Sequence, residues 1–286
     1  MLHEIIQCPG KEKVSLECFV LDSGLSLGQF QERPAVVICP GGGYVYLSPR
    51  EAEPVAAAYL SKGIDAFILR YSLGWEAAVL EPMKELDWAL ALVRERAKEW
   101  SIAPGKVFTL GFSAGGHLAL YNGLYGKERP DGMVLGYPAV KMEGKNGLLF
   151  TKLLLGKDET SGEEDLVDLT RGVTKDAPPL FLFTTAEDSL TYGPSLELAM
   201  RYAEKGLPVE IHIFQKGPHG LSLANEAAAD GSSQVLSRDV EKWLDLSADW
   251  IFSVSGPLEF ADRSTSRMGE ELRKLGISAG STPGNA

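Results

Sequence analysis

One framed serine, four histidines and a few placed carboxylates carry the chemistry legible in this chain. Ser113 stands in Gly111-Phe112-Ser113-Ala114-Gly115, a G-x-S-x-G string. The apolar stretch Val107-Phe108-Thr109-Leu110 precedes it, and a helix-like run of small and apolar residues follows it to Ala119. A serine in such a strand-to-helix turn presents its Oγ at the tip of a sheet. The glycines two residues before and after let strand and helix approach without Cβ clashes, so the serine can occupy a tight, strained turn. The N–H of Ala114 opens the helix, where partial positive charge collects and an oxyanion can be stabilised.

Serine is a poor nucleophile at its own pKa and needs a base. His3 lies at the terminus, His212 lies within a strand pattern, and His117 sits one turn past the elbow on a helix leading away from Ser113. His219, in Gly217-Pro218-His219-Gly220, directly follows a strand, in the kind of loop where open α/β sheets place their sites. It is the expected base. A third group must hold the imidazole's tautomer and stabilise its cation. Asp188, after the strand ending at Thr185, is expected there, with its neighbour Glu187 as the rival. Gly41-Gly42-Gly43 follows a buried strand and offers unobstructed amides, so Gly42 and Gly43 are expected to join Ala114 in an oxyanion hole. That run lacks the lysine and the spacing of a nucleotide loop. No H-E-x-x-H, Cys/His pair or carboxylate–histidine cluster points to a metal, and no cofactor is expected.

These residues must meet at one rim of a sheet. Strands are expected at Val14–Leu21, Ala35–Cys39, Asp65–Arg70, Val107–Leu110, Gly132–Leu135, Pro179–Thr185 and Val209–Phe214. Asp22-Ser23-Gly24 reads as a turn, and Leu25–Arg33 as a loop or hairpin return. Helices are expected at Glu51–Lys62, Glu81–Trp100, Pro194–Lys205 and Leu236–Phe252. The second carries an apolar stripe at Met83, Leu86, Leu90, Val93, Ala97 and Trp100. Tyr71–Leu80 reads as a loop, and Val140–Pro179 as an excursion over the sheet edge, a small lid. Strands alternating with helices predict an α/β fold with a mostly parallel sheet covered on both faces. Residues 1–255 are expected to form the catalytic domain. Residues 256–286 read as an extension with one short helix at Met268–Leu275 and a disordered end from Gly280 to Ala286.

The 286 residues are 44% hydrophobic and 23% charged, an ordinary globular composition. A net charge of −11 without a basic cluster argues against nucleic acid as a partner. Three cysteines, all among the first forty residues and without C-x-x-C, read as reduced thiols. With no signal-peptide pattern and no apolar run of spanning length, a cytoplasmic protein with no membrane partner is the expectation.

With these residues in hand, the chain resembles the α/β-hydrolase superfamily, and within it the acetyl-esterase and acetyl-xylan-esterase branch near the HGGG-loop esterases. The matching stretches are Pro40-Gly41-Gly42-Gly43-Tyr44, GFSAGGHLA from Gly111 to Ala119, Tyr137-Pro138, Ala177-Pro178-Pro179 and Gly217-Pro218-His219-Gly220. The resemblance implies Ser113 as nucleophile, Asp188 as acid, His219 as base, and Gly42, Gly43 and Ala114 as the oxyanion hole. Pro40 departs from the pattern, standing where HGGG enzymes carry histidine, so that side chain's bracing is done differently here. The short 140–179 segment disfavours a large cap and favours small acyl groups. The expected activity is a serine carboxylesterase that removes short acyl groups, acetyl above all, from a carbohydrate such as a xylo-oligosaccharide. The expected partner is this small-molecule ester, with homo-oligomerisation open. Tyr44, Tyr46 and Trp75 could form a sugar-stacking wall, which core packing would explain equally well. The rivals are a peptidase on the same fold and a non-enzymatic ligand binder.

Overall fold

A computed structural model describes residues 1–22, 32–142, 144–156, 164–229, 231, 233–256 and 267–276. Its eight strands are β1 (Leu2–Gln7), β2 (Ser15–Val20), β3 (Arg33–Cys39), β4 (Asp65–Arg70), β5 (Ile102–Phe112), β6 (Met133–Gly136), β7 (Leu180–Thr185) and β8 (Val209–Phe214). They form one sheet in the order β1-β2-β4-β3-β5-β6-β7-β8. From β4 to β8 every pairing is parallel, while β2 runs antiparallel to both β1 and β4. The apolar runs of β3, β6 and β7 thus become strands buried on both faces, as the interior of a parallel sheet demands, while β8 at the edge is half-buried.

The helices are α1 (Glu53–Ser61), α2 (Glu81–Glu95), α3 (Ala97–Trp100), α4 (Ala114–Tyr125), α5 (Gly144–Leu155), α6 (Glu164–Val167), α7 (Tyr192–Lys205), α8 (Trp243–Ser255) and α9 (Arg267–Lys274). Strand side chains alternate between two cores. Val37 and Cys39 of β3 pack with Leu86 and Leu90 of α2 and Leu118 of α4. Val36 and Ile38 pack with Val55 and Tyr59 of α1 and Trp243 and Ile251 of α8. A third cluster joins Leu120 of α4 to Leu180, Leu182 and α7's Leu198.

Several expectations shift. The single helix expected over 81–100 is two, α2 and α3, meeting at Arg96. Part of the 71–80 loop winds into a 3-10 turn from Gly74 to Leu80. The 140–179 excursion carries α5 and α6, which periodicity did not reveal. The last long helix starts at Trp243, after a short 3-10 turn. β1 was not expected: LHEIIQ is half polar, and it forms an exposed edge strand. The short helix expected at 268–275 is α9. The turn at Ser23-Gly24, most of the 25–33 segment and the end from Gly280 lie outside the described residues. Among the described residues, no helix is long and apolar enough to cross a membrane.

What positions the site is the β5–α4 junction. A Cβ on Gly115 would come within 1.9 Å of the Cys39 carbonyl oxygen, and one on Gly111 within 2.2 Å of the Gly115 oxygen. Both obstacles are backbone, so neither can swing aside. Gly115→Ala is therefore expected to lower stability by about 3 kcal/mol. Gly105→Ala, with open space around it, is expected to change stability by less than about 0.5 kcal/mol. Urea denaturation of both variants checks the contrast.

Candidate active site

Ser113 sits between β5 and α4 at φ 52 and ψ −117, a conformation L-residues rarely adopt. Backbone bonds hold it there: its N–H donates to Gly136 O at 3.1 Å, and its carbonyl accepts from Ala139 N–H and His117 N–H, each at 3.0 Å. The strained serine is thus fixed from the sheet and from the helix, and its hydroxyl is turned outward.

The loop after β8 brings His219 to it. His219 Nε2 lies 2.9 Å from Ser113 Oγ, and Nδ1 lies 2.7 Å from Asp188 Oδ2. A carboxylate beside Nδ1 keeps the proton on that nitrogen, which leaves Nε2 as an acceptor for the serine hydroxyl. Asp188 is buried, and its Oδ2 also accepts the Thr191 hydroxyl at 2.6 Å while Oδ1 accepts Leu190 N–H. Burial pushes this carboxyl up, but the donors His219, Thr191 and Leu190 and the histidine's charge outweigh it and hold the group below its ordinary value. The rival, Glu187, has a different partner: its Oε2 accepts the Gly217 N–H at 2.9 Å, bracing the histidine loop from outside.

The glycine loop lies across from this chain of bonds. Among the described residues, no acceptor pairs with the amide N–H of Gly42, Gly43 or Ala114. The side chain of Tyr46 lies against Gly42, where a Cβ would meet Tyr46 Cδ1 at 3.1 Å. Pro40 contributes its carbonyl oxygen, which accepts the buried Tyr71 hydroxyl. Among the described residues, no group of His, Cys, Asp and Glu side chains could hold a metal ion.

The chain has relatives in sequence and in fold. A sequence model of the BD-FAE family matches residues 21–146. The α/β hydrolase enzyme MGS-M1, from a Medee basin deep-sea metagenome library, is 36% identical over 89% of this chain and 98% of its own, with a TM-score of 0.77. This chain belongs to the α/β-hydrolase superfamily. An acetyl ester-xyloside bifunctional hydrolase from Caldicellulosiruptor lactoaceticus is 29% identical to this α/β hydrolase. That match covers 88% of this chain and 96% of the relative, with a TM-score of 0.76. An acetylxylan esterase from Xylanibacter ruminicola is 31% identical over 203 residues, 66% of this chain and 41% of its own length. The hydrolase spans less than half the length of the curated relatives that it matches over most of its own.

Of the expected wall, Tyr46 and Trp75 are exposed, at 58% and 68%, whereas Tyr44 is fully buried and is no part of any surface. Its hydroxyl meets His117 Nδ1 at 2.9 Å, and His117 Nε2 meets Leu166 O at 2.7 Å. Since a carbonyl only accepts, Nε2 carries the proton and Nδ1 accepts from Tyr44. Tyr44 was drawn inward because a neutral buried imidazole needed a donor. Glu51, Tyr137 and Thr191 carry no assigned role in the sequence: the Glu51–Tyr137 bond spans 86 positions, and Thr191 shows its role only by donating to Asp188, three residues before it.

Burial lowers the His117 pKa to about 4, against a smaller opposing effect from the Leu166 carbonyl. The unfolded chain therefore takes up a proton on this histidine between about pH 6.5 and 4 that the folded one refuses. Stability should fall as pH drops through that window, by up to about 3 kcal/mol from this group. Urea unfolding at pH 7 and pH 4.5 should show a smaller difference in His117→Gln than in the wild type.

Proposed function

We propose that this α/β hydrolase is a serine carboxylesterase acting on short acyl esters, acetyl esters of xylo-oligosaccharides in particular. The observation that carries the reading is the continuous chain Ser113 Oγ–His219 Nε2 and His219 Nδ1–Asp188 Oδ2, at 2.9 and 2.7 Å, together with the Ala114, Gly42 and Gly43 amides, which have no acceptor among the described residues. The likeness to an acetylxylan esterase supports the choice of acyl group and alcohol.

In this reading Ser113 Oγ attacks the ester carbonyl carbon while His219 Nε2 takes its proton. The carbonyl oxygen becomes an oxyanion, held by the amides of Ala114 and of Gly42 or Gly43. Asp188 stabilises the imidazolium without taking its proton. The bond from the carbonyl carbon to the alcohol oxygen then breaks, and the alcohol leaves with the proton from Nε2. Water, deprotonated by the same nitrogen, attacks the acyl carbon; the bond from that carbon to Ser113 Oγ then breaks, Oγ takes the proton back from Nε2, and the acid is released. Tyr46, against Gly42, and Trp75, with Lys152 Nζ 5.9 Å from its ring centroid, offer flat faces to the sugar.

Ser113→Ala is expected to cut turnover of p-nitrophenyl acetate and of acetylated xylo-oligosaccharides by about 10,000-fold or more. Undiminished turnover would end the reading. Tyr46→Ala and Trp75→Ala are expected to raise KM for the oligosaccharide about 3- to 10-fold, with a smaller change on p-nitrophenyl acetate. Equal effects on the two substrates would remove the sugar-stacking role.

A further inference from the structure

A second buried carboxylate lies beneath the site and has no part in the chemistry above. Glu51 closes the 3-10 turn Pro49–Glu51 and is 3% exposed. Its Oε2 accepts the Gly41 N–H at 2.7 Å, and its Oε1 accepts the Tyr137 hydroxyl at 2.6 Å. Tyr137 Oη in turn accepts the Ser222 N–H at 2.8 Å. The Tyr137 ring stands edge-on to the His219 imidazole, with centroids 5.2 Å apart and planes at 71°. The neighbouring residue reaches the same loop: Arg50 Nη2 donates to Gly220 O at 2.7 Å, and Ser222 Oγ donates to Arg50 O.

Gly41 is the residue through which this brace reaches the nucleophile. A Cβ there would lie 3.1 Å from Ser113 Cβ and 2.7 Å from Phe112 O. Glu51 therefore joins the glycine loop, the segment after β6 and the histidine loop through one pair of oxygens. Burial pushes its carboxyl up, while Tyr137, Gly41 and the charges of His219 and Arg50 work against that. A buried carboxylate is a costly way to fill space, since well-packed apolar groups often serve stability as well or better. Its value lies in where it puts the groups bonded to it.

We propose, resting on the esterase reading of Ser113, that Glu51 is a positioning residue. It fixes the Gly41–Gly43 amides and the His219 loop relative to each other, so that oxyanion donors and base face one reacting carbon. Pro40 has no side-chain donor to brace this loop, and Glu51 does so from below.

The experiment compares wild type, Glu51→Ala and Glu51→Gln for kcat and KM on p-nitrophenyl acetate. Rates are normalised to sites titrated with a fluorophosphonate, and folding is followed by thermal melting. Inhibition by an alkyl boronic acid, whose serine adduct is tetrahedral, is measured alongside. Glu51→Ala is expected to lose about 100-fold in kcat per titrated site with KM changed less than about 3-fold, and boronate affinity should fall with kcat. Glu51→Gln can accept from Gly41 and donate to Tyr137 Oη, so it is expected to recover about 10-fold of that loss. A folded Glu51→Ala with kcat and boronate affinity within about 3-fold of wild type would overturn the proposal, as would a loss confined to melting temperature. Should Glu51→Ala not fold, Tyr137→Phe takes its place: a several-fold loss in kcat supports the brace, and no loss overturns it. Failure of the wild type to react with the fluorophosphonate would instead defeat the esterase reading itself.

Discussion

The first turn of α4 leaves no room for a side chain between itself and the sheet. Backbone oxygens of Cys39 and Gly115 stand where side chains at residues 115 and 111 would have to go. That close approach compels the chain to reverse within one residue, and Ser113 takes the strain, of order 1–3 kcal/mol. Donors and acceptors on both sides keep the strained state populated: Gly136, Ala139 and His117 all bond to the Ser113 backbone. The same contact sets the Ala114 amide at the start of a helix, where its N–H has no helical partner. The strained Ser113 turn and the helix-start amide of Ala114 thus follow from one packing constraint.

The imidazole side rests on different physics. Its loop is held by scattered polar anchors as well as by the buried Leu221 and Leu223. Glu187 takes the Gly217 amide, Thr185 donates to the Gly217 carbonyl, and Trp243 Nε1 donates to Ser222 O at 2.9 Å. Trp243 is itself stacked on Phe183 with centroids 4.5 Å apart. α8 therefore serves the site from the far face of the sheet. The two histidines near Ser113 divide by environment. His117 is sealed and kept neutral, tying α4 to Tyr44 and Leu166. His219 is a third exposed on its side chain and backed by a carboxylate. A proton-transfer role needs the second environment.

Much of this was legible in the order of residues. Ala35–Cys39 and Asp65–Arg70 announce themselves as strands because local apolar runs suffice to define buried strands, and Val209–Phe214 does so by its alternating β-branched residues. Ser113, Asp188 and His219 were each found from the strand end that carries them. The structure brings the three together as the sequence order implied. Tyr44 stayed open between wall and core because a tyrosine after a glycine loop gives no local sign of whether it turns inward. Its burial depends on His117, 73 positions away. β1 escaped because an edge strand need not be apolar, and Glu51 because its role exists only through Tyr137 and Gly41, 86 and 10 positions distant. Strands and loop-borne groups are written locally; braces between loops are not.

A structure of the protein after reaction with a small alkyl fluorophosphonate tests the central claim most directly. The account predicts a covalent bond from phosphorus to Ser113 Oγ, with the phosphoryl oxygen within about 3 Å of the Ala114 amide and of a Gly42 or Gly43 amide. His219 Nε2 should remain within reach of Ser113 Oγ. Phosphonylation at another residue, or an adduct on Ser113 whose oxygen faces away from those amides, would contradict it.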